Sequence, residues 1–325
     1  MNFLHATRPQ EIAFHTGTVD IYWYGVFIAL AIVTGFVITY NYSKKKQMST
    51  EHVFNLLFLI VVFGVIGGRI GHIIGDLGYY SDNPSELYKI WHGGLAIHGV
   101  LLASIFVVYV YSRIQRLSFW LLTDSIVFSL PLMQAIGRWG NYFNQELYGL
   151  PTDVSWGIPI EAGRRVAAYA TEQYFHPLFL YESMLMLLVF ICLVIIVPSV
   201  KLKTGALTLL YFLIFPVIRF SLDFFRIEML SIGPLLLTQW ISILLFVTAA
   251  FLLIRLYRPS SPKSNGKENK QANTRKLDDC PCKSRKFVSI DDAIDIIMYM
   301  SMVVKCCFNI LKEDSRIPFF KKDIK

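Results

Sequence analysis

Seven apolar runs alternate with short polar stretches through the first 257 residues, near 21–40, 54–75, 94–112, 119–138, 178–197, 205–222 and 235–256. A helix needs about twenty mostly apolar residues to cross roughly 30 Å of hydrocarbon. The pattern therefore predicts an all-α polytopic membrane protein with seven transmembrane helices, its transmembrane domain spanning 1–257. Residues 139–177 fit no span, because Pro151, Gly157, Pro159, Gly163 and Pro177 interrupt them. A small subdomain between spans 4 and 5 is expected there.

Charge orients the bundle. Lys44, Lys45, Lys46, Arg113, Arg116, Lys201, Lys203, Arg255 and Arg258 all fall on one side of the runs. Asp76, Asp82, Glu86, Asp153 and Glu161 fall on the other, with Arg164 and Arg165 beside them. The positive-inside bias places the N-terminus outside, the C-terminus in the cytoplasm and the 139–177 segment on the outer side. Trp23, Trp91, Trp139, Trp156 and Trp240 lie near span ends, where an interfacial aromatic belt belongs.

Composition agrees with a membrane protein: 54% of the 325 residues are hydrophobic, 17% are charged, and the mean hydropathy is +0.49. The net charge of +8 belongs to basic loops and tail rather than to a nucleic-acid face. Residues 258–286, rich in Lys, Ser, Asn and Pro, read as a disordered basic linker. In the tail, 287–325, the apolar stretch from Phe287 to Leu311 carries Asp291, Asp292, Asp295 and Lys305, which suits an interfacial or soluble amphipathic helix better than an eighth span. Cys280, Cys282, Cys306 and Cys307 lie in that cytoplasmic part; Cys280-Pro-Cys282 has the makings of half a metal site, but no His pair follows at finger spacing and the thiols read as free, while Cys192 lies within the fifth run. The first twenty residues include Glu11 and Asp20 and do not read as a cleavable signal peptide. No phosphate-loop or zinc-protease motif occurs, and neither a metal nor another cofactor is expected.

The candidate chemistry lies where polar residues enter apolar runs. Buried charge is costly in lipid and is retained mainly where it faces protein or a water-filled cavity. Ala135–Gly149 places Arg138, Asn141, Asn144, Gln145 and Glu146 at the end of the fourth run. Further clusters are Tyr22–Gly25, Gly67–Gly71 with Arg69, Trp91–Gly99 with His92 and His98, His176–Glu182, and Arg219–Arg226 with Asp223. In the topology above all of them sit at the outer ends of spans, Gly67–Gly71 about two turns deeper. Convergence on one outward-facing cavity is expected. Arg69, Arg138, Arg219 and Arg226 are cationic forks suited to a phosphate head group; the alternative is snorkelling, or pairing of Arg226 with Asp223 or Glu228 and of Arg138 with Glu146. His98 can serve as a general base or as an interhelical hydrogen-bond partner. Asn141, Asn144, Gln145 and Glu146 form either a hydrogen-bonding shelf or a polar cap, with Arg138, Asn141 and Gln145 on one face if the helix continues. Tyr22, Trp23 and Tyr24 also suit an aromatic belt.

With those residues in view, the chain resembles the prolipoprotein diacylglyceryl transferase family of bacterial inner membranes. Gly137–Gly149 matches that family's run G-R-x-G-N-[FY]-x-N-x-E-x-x-G. Support comes from Trp23–Gly25, Gly67–Gly71, His98 with Gly99, His176 with Pro177, Tyr181 with Glu182, and Arg219–Arg226. The likeness runs from about residue 15 to 256. It implies seven spans and transfer of the sn-1,2-diacylglyceryl group of phosphatidylglycerol to the lipobox cysteine of a preprolipoprotein, with glycerol 1-phosphate leaving. His98, Arg138, Arg219 and Tyr24 become the expected catalytic set. Arg138, Asn141, Asn144, Glu146, Gly149, Arg69 and Arg226 become the expected phosphatidylglycerol-binding set. Two departures stand out: Val100 replaces a glycine and would narrow the approach to His98, and Asp223 replaces a glutamate. The competing class is a transporter or flippase for an anionic solute or lipid, for which no internal repeat is found.

Overall fold

The computed structural model describes residues 3–17, 20–90, 93–227 and 230–258. The linker and tail expectations at 258–286 and 287–325, like Trp91, His92 and Glu228, lie outside the described residues, Arg258 excepted.

Ten α-helices occur among the described residues: α1 (Phe3–Ala6), α2 (Trp23–Lys45), α3 (Thr50–Gly75), α4 (Leu77–Asp82), α5 (Ile97–Ile114), α6 (Phe119–Val127), α7 (Leu130–Phe143), α8 (Leu178–Ile196), α9 (Ala206–Leu222) and α10 (Leu237–Tyr257). Six of them, α2, α3, α5, α8, α9 and α10, are long and apolar enough to cross a membrane. α6 and α7 together make a seventh candidate span, bent by 47°. The fourth run is thus not the single helix its hydropathy predicts. Pro131 sits in the first turn of α7, where it removes an amide donor and crowds the carbonyl four residues back, so the helix restarts instead of continuing. At the break, buried Ser129 and Thr39 of α2 hydrogen-bond at 2.9 Å, giving polar groups freed within the bundle a partner.

The main helix pairings are α3 with α5, α9 with α10, α2 with α7, and α7 with α8. α3 and α5 meet backbone to backbone. A Cβ on Gly99 would lie 2.1 Å from the Gly67 carbonyl oxygen, and one on Gly67 would lie 2.6 Å from that of Gly99. Only glycine permits this approach. α9 is the most enclosed helix, while α2, α3, α5 and α10 turn Val33, Phe58, Leu102 and Leu244 outward, as lipid-facing helices should.

The helix termini sort into two ends. At the basic end lie Lys44–Lys46, Arg113, Arg116, Lys201, Lys203 and Arg255. There Asp124 of α6, which sequence reading passed over, is buried against the first turn of α9: its carboxylate accepts from the Gly205 amide at 2.6 Å, the Thr208 amide at 2.8 Å and the Thr208 hydroxyl at 2.6 Å. A carboxylate at a helix N-terminus satisfies donors that the helix cannot.

The opposite end carries what all-helical expectation missed. Among the described residues, three antiparallel two-stranded sheets occur there: β1 (Ile12–His15) with β2 (Asp20–Tyr22), β3 (Ile158–Pro159) with β4 (Tyr174–Phe175), and β5 (Ser231–Ile232) with β6 (Leu235–Leu236). Residues 144–177 fold back so that Tyr148, Ile158, Ile160 and Phe175 share one core with Tyr142 of α7 and Phe179 of α8. The N-terminal segment straps this lobe down. His5 stacks on Tyr174 with centroids 4.0 Å apart and hydrogen-bonds the Gly157 carbonyl, and Glu11 pairs with Arg164.

Candidate active site

Where α7, α8 and α9 meet, the sequence places one carboxylate and two guanidinium groups in apolar surroundings. Glu182, in the first turns of α8 and 3% exposed, lies between Arg138 of α7 and Arg219 of α9. Its Oε1 is 2.5 Å from Arg138 Nη2, and its Oε2 is 2.8 Å from Arg219 Nη1. One buried carboxylate thereby holds two forks in place, each from a different helix. The positions follow from helix packing: the Ser183 hydroxyl donates to the Ala135 carbonyl at 2.8 Å, fixing α8 against α7 one turn below.

The network extends both ways. Toward α9's end, Asp223 Oδ1 accepts from Arg219 Nη2 at 3.2 Å and lies 3.7 Å from Arg226 Nε. Toward α7's end, Arg138 Nη1 donates to Asn141 Oδ1 at 3.1 Å, and Asn141 Nδ2 donates to Glu146 at 2.8 Å. Asn144 Nδ2 reaches the same Glu146 oxygen at 3.4 Å. Three guanidinium groups face two buried carboxylates, Glu182 and Asp223, leaving one positive charge in the cluster; Glu146, at its outer margin, is exposed. A cleft opens here, lined by Arg138, Asn141, Leu147, Leu178, Phe179, Glu182, Arg219, Leu222 and Arg226. The lining combines guanidinium forks with apolar side chains.

The expected site residues divide into those this geometry unites and those it separates. Arg138, Asn141, Arg219 and Arg226 line the cleft, with Asn144 and Glu146 hydrogen-bonded at its rim. Tyr24 packs over Gly140, where a Cβ would lie 2.8 Å from its ring. Gly149 acts through its backbone: it is bridged to Arg226, its amide donates to the His176 carbonyl at 2.9 Å, and a Cβ would fall 2.9 Å from His176 Cβ and 3.0 Å from the Phe225 oxygen. This bridge holds Arg226 in register.

Several expected residues stand elsewhere. Arg69 does not reach the cleft. It is buried between α3 and the following loop, donating from Nε to the Leu87 carbonyl at 3.0 Å, from Nη1 to those of Gly93 at 2.8 Å and Gly94 at 3.2 Å, and from Nη2 to that of Glu86. His98 stands in the first turn of α5 with an exposed side chain and is not among the cleft's lining residues. Gln145 leaves the shared face because α7 ends at Phe143. With φ of 53° it turns away, accepting from the Glu161 amide at 2.9 Å and donating to the Pro9 carbonyl at 3.3 Å. Arg138 takes Glu182 as its ion-pair partner in place of Glu146. Val100, expected to narrow the approach to His98, packs onto Gly64 and Gly68 of α3.

Glu182 is the member of the cluster that the expected set omitted. Its signal was present as a lone carboxylate in an otherwise apolar run, a costly placement that calls for a cationic partner. His176, also left out, is buried beside Phe225, with its Nδ1 3.1 Å from the Tyr181 hydroxyl.

Comparison with known proteins bears on this arrangement. A sequence model of the prolipoprotein diacylglyceryl transferase family matches residues 11–255. The chain is similar to proteins named phosphatidylglycerol–prolipoprotein diacylglyceryl transferase in several bacteria. It is 37% identical to that of Fervidobacterium nodosum over 244 residues, 74% of this chain and 84% of the relative. It is 36% identical to that of Listeria innocua over 253 residues, 77% and 91% of the two chains, and 34% identical to that of Finegoldia magna over 258 residues, 79% and 100%. The match takes in every helix from α2 through α9, the three that frame the Arg138–Glu182–Arg219 cluster among them, and with it the chain belongs to the prolipoprotein diacylglyceryl transferase family.

Proposed function

We propose that this chain transfers the diacylglyceryl group of phosphatidylglycerol to the thiol of a prolipoprotein's lipobox cysteine, in the bacterial cytoplasmic membrane, with the cleft facing outward and the basic end in the cytoplasm. The observation that carries this reading is the Glu182 bridge between Arg138 and Arg219, with Arg226 beside it. Family membership supplies the substrate class, and the basic end supplies the orientation through the positive-inside bias.

The reaction displaces phosphate from carbon. The cysteine sulfur attacks the glyceryl carbon that bears the phosphate ester; a carbon–sulfur bond forms and the carbon–oxygen bond breaks. The electron pair leaves with the oxygen, so the phosphodiester monoanion becomes glycerol 1-phosphate and gains one negative charge. The cluster's surplus positive charge balances the bound diester, and guanidinium groups already fixed by Glu182 and Asp223 meet the developing charge without reorganising. Arg138 and Arg219 serve as the phosphate clamps, Arg226 as the third donor, and Asn141, Asn144 and Glu146 orient Arg138 and the head-group glycerol. Tyr24 closes the α2 side.

The thiol proton needs an acceptor. His98 has no hydrogen-bond partner among the described residues and is open to solvent, so it is assigned that role, with the peptide thiol approaching from the α5 side. The test is a transfer assay with radiolabelled phosphatidylglycerol and a synthetic lipobox peptide, run on the full chain and on one ending at Arg258. Label on the peptide cysteine, lost when that cysteine is replaced by serine, is the expected result. Absence of transfer, with flux of an anionic solute instead, would overturn the reading.

A further inference from the structure

Arg69 presents an unusual combination: a buried guanidinium, in a membrane-spanning helix, whose donors all point at backbone. Its Nε, Nη1 and Nη2 reach the carbonyls of Glu86, Leu87, Gly93 and Gly94, a single loop between α4 and α5. No carboxylate pairs with it among the described residues; Glu86, which offers its carbonyl, gives its side chain to Lys89 at 2.7 Å. Tyr80 closes the other side, its ring centroid 5.2 Å from the guanidinium carbon and its hydroxyl 3.1 Å from His72 Nδ1.

The loop is shaped to receive this fork. Gly93 and Gly94 have φ of +87° and +78°, which turn their carbonyls toward Arg69, and a Cβ on Gly94 would lie 2.7 Å from Arg69 Nη1 and 3.1 Å from His72 Nε2. Immediately downstream, the Ala96 amide donates to the Gly68 carbonyl at 2.9 Å, and Gly99 sits on Gly67. His98 lies between these two attachments. A residue that fixes the loop therefore fixes where α5 begins and which way its first turn presents the imidazole.

We infer that Arg69 is a positioning residue for His98, not a phosphate ligand: it ties Glu86, Leu87, Gly93 and Gly94 to α3 so that the first turn of α5 starts in one register. This rests on the role given to His98 under the proposed function. Arg69 has committed its fork to the carbonyls of Glu86, Leu87, Gly93 and Gly94 and does not line the cleft.

The experiment uses the full chain in phosphatidylglycerol-containing nanodiscs, with Arg69→Lys, Gly94→Ala, His98→Gln and the double variant Arg69→Lys/His98→Gln. Gly94→Ala disturbs the clamp from the loop side and leaves the cation in place. The expected result is a kcat lowered at least tenfold in both Arg69→Lys and Gly94→Ala, with KM for phosphatidylglycerol within twofold of the parent. Trypsin cleavage after Lys89 should be several-fold faster, and the double variant no slower than the slower single one. A KM for phosphatidylglycerol raised tenfold with kcat retained would overturn the inference, as would losses that multiply in the double variant. If His98→Gln turns over normally, the role of His98 fails instead, and unchanged cleavage after Lys89 in Arg69→Lys then removes the clamp as well.

Discussion

Arg138 and Glu182 are held 2.5 Å apart across the α7–α8 contact, and the same carboxylate reaches Arg219 on α9. The carboxylate sets the spacing of the two guanidinium forks proposed to clamp phosphate. Removing Glu182 should therefore damage the site more than its distance from the chemistry implies. Glu182→Gln, which keeps shape and loses charge, is expected to lower kcat/KM about 100-fold, the equivalent of roughly 2.7 kcal/mol. Glu182→Ala should also destabilise the fold by about 3 kcal/mol, because two partly buried cations lose their counter-charge. Transfer kinetics and thermal unfolding in detergent measure the two effects separately.

Fork geometry, not charge alone, is what Arg138 supplies. Arg138→Lys keeps the cation but cannot contact Glu182, Asn141 and a phosphate oxygen together. A loss of about 100-fold in kcat is expected in the peptide-transfer assay. Arg138→Ala or Arg219→Ala should fail to support growth of a transferase-depleted strain while the protein still inserts; normal growth would remove the clamp assignment.

Gly149 is a packing position with consequences for Arg226. In Gly149→Ala the new methyl meets His176 and the carbonyl of Phe225, so the bridge to Arg226 must widen. Overpacking of this kind costs about 1–3 kcal/mol. The expected outcome is a lowered Tm together with a weakened affinity for phosphatidylglycerol, read by lipid-titrated turnover.

Asp124 provides the contrasting case at the other end of the bundle. Asp124→Ala leaves the first turn of α9 without its cap. Stability is expected to fall by about 1–2 kcal/mol, with KM unchanged. A change in KM equal to that of an Arg138 variant would show that the two ends are coupled.

Much of this site can be read from side-chain types, because Arg138, Arg219 and Arg226 are conspicuous where apolar runs end. Their partners are harder to see. Glu182 is 44 residues from Arg138 and 37 from Arg219, so only the packed helices reveal that one acid serves both. Arg69 has the same composition signal as Arg138, yet its partners are carbonyls, which leave no mark in a sequence. Gln145 escapes the expected face because the chain turns left-handed there, one residue beyond the helix cap. The span count of up to seven was legible from hydropathy alone, whereas the bend in the fourth was not, since Pro131 is itself apolar and the run reads straight through it. Strands of two to four residues, like β3 and β4, are too short to produce a periodic pattern.

The Asp124 cap also has a history within each molecule's synthesis. Gly205 and Thr208 are 81 and 84 residues further along the chain than the carboxylate they satisfy. At roughly 5–20 residues per second, a ribosome takes on the order of several seconds to deliver them. Until then the α6 segment carries an unsatisfied acid and must keep it near water at the basic end. The fourth span is therefore expected to settle to its final depth only after the sixth has emerged, with α10 still to follow.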